Sequence, residues 1–264
     1  MRDLHAHILP GVDDGASDME ASLAMCAMGA RDGITHVVAA VHLFHDGKCV
    51  PVPHIDRELA RLKAALVKDG QGLEISAATE TPIMEDIVER IGQGQIIPLD
   101  PGGRYILLES PHAGMLGSAV VETVVRLRSC GVTPVVAHPE VSEAFRKNSR
   151  LAQEAVQRGA VMQVTASALG FALESGRRGM ITGLLERGLI HVVASDAHDT
   201  TRRVLRLSDA FQCCAEALGP SCAELLFETN PQRILAGAPV LQPKPTRRRV
   251  SRLVDNWVRR RRLE

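Results

Sequence analysis

Two pairs of residues near opposite ends of the chain have the types and spacing of metal ligands. His5 and His7 lie in the segment "DLHAHILPGVDDGA" (residues 3–16), and Asp196 and His198 lie in "SDAH". Side chains two positions apart in a β-strand point to the same face, so each pair would present two ligand atoms together. This spacing predicts a metal site more readily than a packed core.

Four more candidate ligands stand at or just after the end of an apolar run: His42, Glu80, Glu109 and His138. Imidazole suits zinc, manganese and iron, while carboxylates suit harder ions and can bridge two of them. The eight candidates exceed the three or four protein ligands that one catalytic metal takes, so they predict two or three ions. Paired ions activate water and stabilise phosphoryl displacement, and metal-dependent phosphoester hydrolysis is therefore the predicted chemistry.

The elements that must position these ligands are predicted as a repeated alternation of strand and helix. Seven short apolar runs predict strands over residues 2–7, 35–41, 74–79, 104–109, 133–138, 160–165 and 190–195. Their alternation with helical patterns indicates a parallel sheet with helical crossovers. We predict a closed barrel, because the carboxyl ends of barrel strands share one face and build the site there. The segment after the first strand is neither GxGxxG nor a P-loop, which argues against an open doubly wound sheet.

Helices are predicted between most of the strands. A capping box of Ser17 and Glu20 precedes the first helix, and Gly33 ends it. The other helical patterns cover residues 54–68, 82–91, 118–129, 149–158, 177–187 and 201–217.

Composition and absent motifs narrow the class of protein. The chain has 264 residues, of which 45% are hydrophobic and only 3% aromatic, so Ala, Val, Leu and Ile must build the core. No apolar run approaches the roughly 20 residues that span a bilayer, and no signal peptide is evident, so a cytoplasmic location is expected. The six cysteines form no CxxC pair, and none has an arginine six residues later. Neither a cysteine-phosphatase signature nor GxSxG is present, which disfavours covalent catalysis.

Charge divides the chain into a barrel, residues 1–243, and a basic tail, residues 244–264. The tail holds nine Lys or Arg residues and two acidic ones, although the formal net charge of the whole chain is zero. Its apolar residues from Val250 to Val258 fall on one helical face. Such a helix could lie on an anionic membrane surface, or it could pack on the barrel, and both interpretations stay open. No nucleic-acid partner is expected.

Six stretches of the sequence resemble the PHP (polymerase and histidinol phosphatase) superfamily, and within it the bacterial capsule-operon protein-tyrosine phosphatases. They are "DLHAHILPGVDDGA", "ATETPI", "YILLESP", "PVVAHPE", "VVASDAHDTTRR" and "NPQRILAG", which span residues 3–237. The resemblance implies a distorted (β/α)7, TIM-like α/β barrel and a cluster of metal ions, with manganese expected first and iron or zinc as alternatives. It also implies hydrolysis of phosphotyrosine on a membrane-linked bacterial tyrosine kinase of polysaccharide export, at the inner face of the membrane.

The resemblance also implies roles for single residues. His5, His7, Glu109 and Asp196 resemble the ligands of the first metal region, with Glu109 as the bridge, and Glu80, His42, His138 and His198 would complete the cluster. Asp14 resembles an active-site aspartate that could act as a general acid, although a turn-capping role would also explain it. Arg203 resembles a phosphate-binding arginine, with its neighbour Arg202 as an alternative.

Two departures from the family pattern bear on activity. The expected Thr-Pro-His-His is "AVHLFH" here, which keeps His42 and leaves His45 as a possible substitute for the second histidine. The expected "HPER" is "HPEV", so Val141 replaces an arginine, and weaker substrate anchoring is expected. Two alternatives therefore stay open: a small-molecule phosphomonoesterase of the histidinol-phosphate type, and a metal-binding regulatory subunit with little turnover.

Overall fold

Seven parallel strands form the centre of the molecule. The computed structural model describes residues 1–110, 116–148, 150–170 and 175–244. The strands are β1 (Arg2–Ala6), β2 (His36–His42), β3 (Phe44–His45), β4 (Lys48–Cys49), β5 (Glu74–Thr81), β6 (Tyr105–Glu109), β7 (Thr133–Ala137), β8 (Val161–Thr165) and β9 (Val192–Ala194). Their order in the main sheet is β1-β2-β5-β6-β7-β8-β9, while β3 and β4 pair as a small antiparallel hairpin. All seven predicted strands are present.

The two edges of the sheet meet, which nearly closes it into a barrel. Ala6 and Ala197 form a parallel bridge just beyond β9. The backbone N–H of His7 donates to the carbonyl of Ala197 at 2.7 Å, and that of Asp196 donates to the carbonyl of His5 at 2.8 Å. The prediction of a distorted (β/α)7 barrel is confirmed, and its closure brings the two ends of the chain's ligand set side by side.

The helices surround the barrel: α1 (Met19–Arg31), α2 (Val52–Lys68), α3 (Ile87–Gly92), α4 (Gly117–Ser129), α5 (Glu143–Lys147), α6 (Leu151–Gln157), α7 (Ser167–Gly170), α8 (Ser175–Glu186), α9 (Ser208–Leu218), α10 (Pro220–Glu224) and α11 (Asn230–Leu235), with a π-helical turn at Leu225–Thr229. None of the helices in these described ranges is both long enough and apolar enough to span a bilayer. Residues 245–264, nearly the whole predicted tail, lie outside the described part of the chain.

Helix starts were predicted less well than strands. The N-cap of α1 is Asp18 rather than Ser17, since the Asp18 carboxylate accepts from the N–H of Ala21 at 2.9 Å. The helix predicted from residue 201 begins only at Ser208, because the Asp199 carboxylate binds the next backbone N–H groups and closes a turn instead.

Strand register determines which side chains enter the barrel at its carboxyl end. Ala40, Ala78 and Leu107 belong to the buried cluster inside the barrel. Side chains alternate along a strand, so the residues two positions later, His42, Glu80 and Glu109, also face inward. In the pairing of β5 with β6, however, Glu80 lies opposite Leu107 rather than opposite Glu109. Glu109 therefore stands one inward-facing row beyond Glu80.

Candidate metal centre

Seven of the eight predicted ligands converge at the carboxyl end of the barrel, together with Asp14. Their ligand atoms form three groups, in each of which the atoms lie within 4.8 Å of one another: His7, Asp14, His42 and His198; His5, Glu80 and His138; and His5, His7 and Asp196. His5 and His7 each belong to two groups, so the three groups are continuous. The i, i+2 spacing that singled out His5 and His7 in the sequence thus places both rings in the centre.

Glu80 lies at the middle of the cluster, with 1% of its surface exposed. Its Oε2 atom is 3.3 Å from His5 Nε2, 3.4 Å from His7 Nε2 and 3.2 Å from His42 Nδ1. Its Oε1 atom is 2.8 Å from His138 Nε2. Burial raises the pKa of the Glu80 carboxyl, but the surrounding histidines, His5 first, hold that pKa well below its usual value. Glu80 is therefore the carboxylate that connects the groups in this structure.

Glu109, predicted as the bridging ligand, belongs to none of the three groups found among the described residues. It lines the same cavity as the cluster, one row beyond Glu80. Its assignment as a ligand stays a prediction.

Two side chains that the sequence analysis missed orient His5, on β1, and His7, just after β1. Asp13 Oδ2 is 2.7 Å from His7 Nδ1 and also accepts from the backbone N–H of His42. Gln163 Oε1 is 3.0 Å from His5 Nδ1. Histidines that bind a metal through one ring nitrogen usually donate from the other, which fixes the ring. The signal for Asp13 was present in the "VDDG" segment, where only its neighbour Asp14 was considered.

Asp14 faces two imidazoles across the mouth of the cluster. Its Oδ1 atom lies 3.3 Å from His42 Nε2 and 3.5 Å from His198 Nε2. The imidazole of His198, and after it that of His42, holds the pKa of the Asp14 carboxyl below its usual value. These distances fit a shared ligand position, while a turn cap, the alternative explanation, would require contacts to backbone N–H groups.

The carboxylate of Asp196 faces histidines with one oxygen and Arg203 with the other. Its Oδ1 atom lies 3.5 Å from His5 Nε2, and its Oδ2 atom accepts from Arg203 at 2.6 Å. Asp196 and His138 have positive φ angles of 54° and 34°, in the left-handed region that costs non-glycine residues energy. Both stand just after a strand end, where this conformation redirects the side chain into the cluster.

An open cavity of about 560 Å³ lies over the cluster. Val141 lines it with 41% of its surface exposed, and so do Arg202 and Arg203. His45 lies on the β3–β4 hairpin and is not among the residues that line this cavity or form the three groups. Glu140, which the sequence analysis also missed, lines the cavity and accepts from the N–H of Thr165 at 2.8 Å.

The chemistry of these side chains fits divalent metal ions. Within the described residues, Glu80 Oε2, His138 Nδ1 and His198 Nε2 are buried atoms without a hydrogen-bond partner. Buried polar atoms are normally satisfied, and a cation among carboxylate oxygens and imidazole nitrogens would satisfy Glu80 and His198. The cluster is therefore a candidate metal centre for more than one ion.

Comparison with known proteins adds a family match. Residues 1–236 match the family described as capsular polysaccharide synthesis, CpsB/CapC. The tyrosine-protein phosphatase YwqE of Bacillus subtilis is 31% identical over 252 residues, which cover 94% of this chain and 98% of that protein. The tyrosine-protein phosphatase CpsB of Streptococcus pneumoniae is 27% identical over 241 residues, or 89% of this chain and 98% of that protein.

A solved structure also resembles the whole fold. It comes from crystal structures of YwqE from Bacillus subtilis and CpsB from Streptococcus pneumoniae, described as unique metal-dependent tyrosine phosphatases. The TM-score is 0.84 and the sequence identity 28%, and the match covers 94% of this chain and all of that chain.

Proposed function

This chain belongs to the CpsB/CapC family of capsular polysaccharide synthesis, and from that premise we propose that it is a metal-dependent protein-tyrosine phosphatase. The observation that carries the proposal is the cluster of five histidines with Glu80, Asp14 and Asp196 beneath an open cavity. Such a site suits hydrolysis of a phosphate ester by activated water.

The three groups of side chains would hold two or three ions, manganese first and iron or zinc as alternatives. Glu109 would extend this set from the next row. When bound, the ions would stabilise the charge on the phosphoryl oxygens and lower the pKa of a water molecule to about 7. Asp13 and Gln163 hold the Nδ1 atoms of His7 and His5, which would leave both Nε2 atoms to bind metal.

Side chains that line the cavity would bind the substrate. The Arg203 guanidinium bonds to Asp196 and lies at the cavity, so its remaining N–H groups can bind phosphate oxygens. Val141, Ala166 and Ala168 provide an apolar surface for the phenyl ring of phosphotyrosine. No cysteine lines the cavity within the described residues, which supports direct attack by water without a covalent intermediate.

Two assignments for Asp14 follow from different arguments. The resemblance implies a general acid that protonates the leaving phenolate. The contacts of Asp14 with His42 and His198 favour a metal ligand, and this is the role that we propose.

The substrate proposed from the family resemblance is phosphotyrosine on a membrane-linked tyrosine kinase of polysaccharide export. The enzyme would then work at the inner face of the membrane. The basic segment 244–264 would contribute a membrane contact beside the barrel unit 1–243. Binding of the full chain and of a chain lacking residues 244–264 to anionic vesicles tests this contact. Equal binding by both chains would exclude it.

One assay separates the proposed function from its alternatives. Turnover is measured on a phosphotyrosine peptide, on the same peptide with phosphoserine and on histidinol phosphate, with the metal content determined on the same sample. We expect the highest kcat/KM on the phosphotyrosine peptide. A preference for histidinol phosphate would indicate the small-molecule enzyme. Full metal content without turnover would indicate the regulatory subunit, an alternative that the loss of an arginine at Val141 favours.

A further inference from the structure

Part of the cavity wall lies outside the metal groups and carries three arginines from one segment. Arg202, Arg203 and Arg206 all line the cavity, and Val141 and Ala168 belong to the same lining. The cavity therefore combines the metal groups with an apolar surface and a strongly basic surface.

The segment that carries these arginines is fixed by a turn around Asp199. The Asp199 carboxylate accepts from the backbone N–H groups of Thr201 and Arg202, both at 2.6 Å, and from that of Arg203 at 3.3 Å. The carbonyl of Arg203 in turn accepts from the N–H of His198 at 2.8 Å. Because His198 belongs to the metal groups, this hydrogen bond fixes the backbone of Arg203 directly beside the candidate metal centre.

The three guanidinium groups differ in what they already bind. Arg203 is paired with Asp196 at 2.6 Å. Arg206 lies 3.3 Å from Asp209, an exposed pair of the kind that contributes little. The Arg202 guanidinium is exposed and has no ion pair or hydrogen bond with any residue in the described part of the chain.

The Asp199 carboxylate makes no ion pair with the Arg202 guanidinium, because its oxygens accept from backbone N–H groups and the Thr201 hydroxyl. An unpaired positive charge on a cavity wall is suited to an anion. Under the proposed function, the phosphate of phosphotyrosine would bind at the metal groups and Arg203. Arg202 and Arg206 are therefore available for a second anionic group.

We propose that Arg202 and Arg206 form a second anion-binding position that takes a negatively charged group next to the phosphotyrosine. The preferred substrate is then an acidic phosphotyrosine peptide, with a carboxylate or a second phosphate beside the target residue. This inference rests on the proposed function, since it assumes that phosphotyrosine binds at the metal groups.

The test uses the full-length, metal-loaded protein and three phosphotyrosine peptides. They are identical except that the flanking positions hold glutamate, glutamine or phosphoserine. We expect kcat/KM for the glutamate peptide to exceed that for the glutamine peptide by about tenfold at low salt, mainly through KM. The preference shrinks as salt screens the charges. A preference shown only by the phosphoserine peptide would identify a second phosphate as the natural group.

Variants that remove positive charge at different places localise the effect. The double variant Arg202→Gln with Arg206→Gln should reduce the preference to about twofold or less. Arg31→Gln removes a positive charge from the exposed C-terminal turn of α1 and should keep the full preference. Equal kcat/KM on all three wild-type peptides, or an undiminished preference in the double variant, would overturn the inference.

A second readout separates this inference from the proposed function. If the metal-loaded chain hydrolyses none of the peptides, the proposed function fails. Binding of the same peptides with a non-hydrolysable phosphonate in place of the phosphate then decides the inference. Tighter binding of the glutamate or phosphoserine peptide by wild type than by the double variant supports it, and equal binding of all three peptides refutes it.

Discussion

The Nε2 atoms of His5, on strand β1, and His7, just beyond its end, lie 3.1 Å apart. The Nδ1 atoms of both rings are engaged elsewhere, on Gln163 and on Asp13. Both Nε2 atoms also lie within 3.4 Å of Glu80 Oε2. Two imidazole nitrogens this close to one carboxylate oxygen match the donor set of a metal site. This arrangement supports the proposal that both rings bind metal through Nε2, with their orientation fixed by Gln163 and Asp13.

Replacing Glu80 by glutamine should remove metal and activity together. The change keeps the size of the side chain but removes the negative charge that faces His5, His7, His42 and His138. We expect metal content to fall and kcat/KM to drop more than about 100-fold. This loss exceeds the drop of about 10- to 100-fold expected for a residue that only hydrogen-bonds a metal ligand. Metal analysis and phosphatase assays on one sample measure this. Glu74→Gln, on the exposed start of the same strand, is the control and should retain both.

The Asp13→Asn variant tests whether Asp13 prepares the His7 ring for metal binding. The amide keeps a hydrogen-bond acceptor for the backbone N–H of His42. It accepts a weaker hydrogen bond from His7 Nδ1 than the carboxylate does, so the ring becomes less basic and binds metal less tightly. Metal affinity should fall by about 10- to 100-fold, with activity restored at high metal concentration. Titration of the metal-free protein with Mn²⁺ gives the affinity. Loss of activity that no metal concentration restores would contradict this role.

The sequence predicted the barrel well because its signal is repeated. Seven apolar runs, each with a polar residue at or just after its end, are compatible with few folds. The i, i+2 pairs then indicate which end of the barrel carries the candidate ligands. His42 and Glu80 followed from the same rule. Strand periodicity, together with the shared carboxyl face of a barrel, was therefore enough to predict that His5 and Asp196 lie close together.

The features that the sequence did not predict depend on strand register and on local competition for backbone hydrogen bonds. Spacing cannot show that Glu80 lies opposite Leu107, and so it could not rank Glu80 above Glu109. The helix predicted from residue 201 failed because Asp199 captures backbone N–H groups that a helix would need to leave free. Asp13 was missed, although it lies only six residues after His7, because spacing does not show that the intervening loop turns back and places its carboxylate on His7 Nδ1.

Introducing an arginine at Val141 should strengthen substrate binding. Val141 lines the cavity together with Arg203 and is 41% exposed, so a longer side chain can reach solvent without overpacking the core. A second guanidinium near the phosphate adds charge-assisted hydrogen bonds of about 1.5–3 kcal/mol. We expect KM for a phosphotyrosine peptide to fall about tenfold or more in Val141→Arg. Val141→Gln, which lacks the charge, is the control. An unchanged KM in the arginine variant would show that this position does not face the phosphate.

The role of Asp14 can be decided with two leaving groups. A general acid matters most for a basic leaving group such as the phenolate of tyrosine, and least for p-nitrophenolate, which leaves without help. A metal ligand matters equally for both. Because Asp14 lies 3.3 Å from His42 Nε2 and 3.5 Å from His198 Nε2, we expect Asp14→Asn to lower kcat/KM by a similar factor on phosphotyrosine and on p-nitrophenyl phosphate.

Metal content gives the matching control for that experiment. With Asp14 as a ligand, the asparagine variant should bind less metal than wild type, and added Mn²⁺ should recover part of the loss on both substrates. A general acid predicts the opposite combination: full metal content, almost normal turnover of p-nitrophenyl phosphate, and a loss of about 100-fold or more confined to phosphotyrosine. That second result would restore the proton-transfer role and remove Asp14 from the group that it forms with His7, His42 and His198.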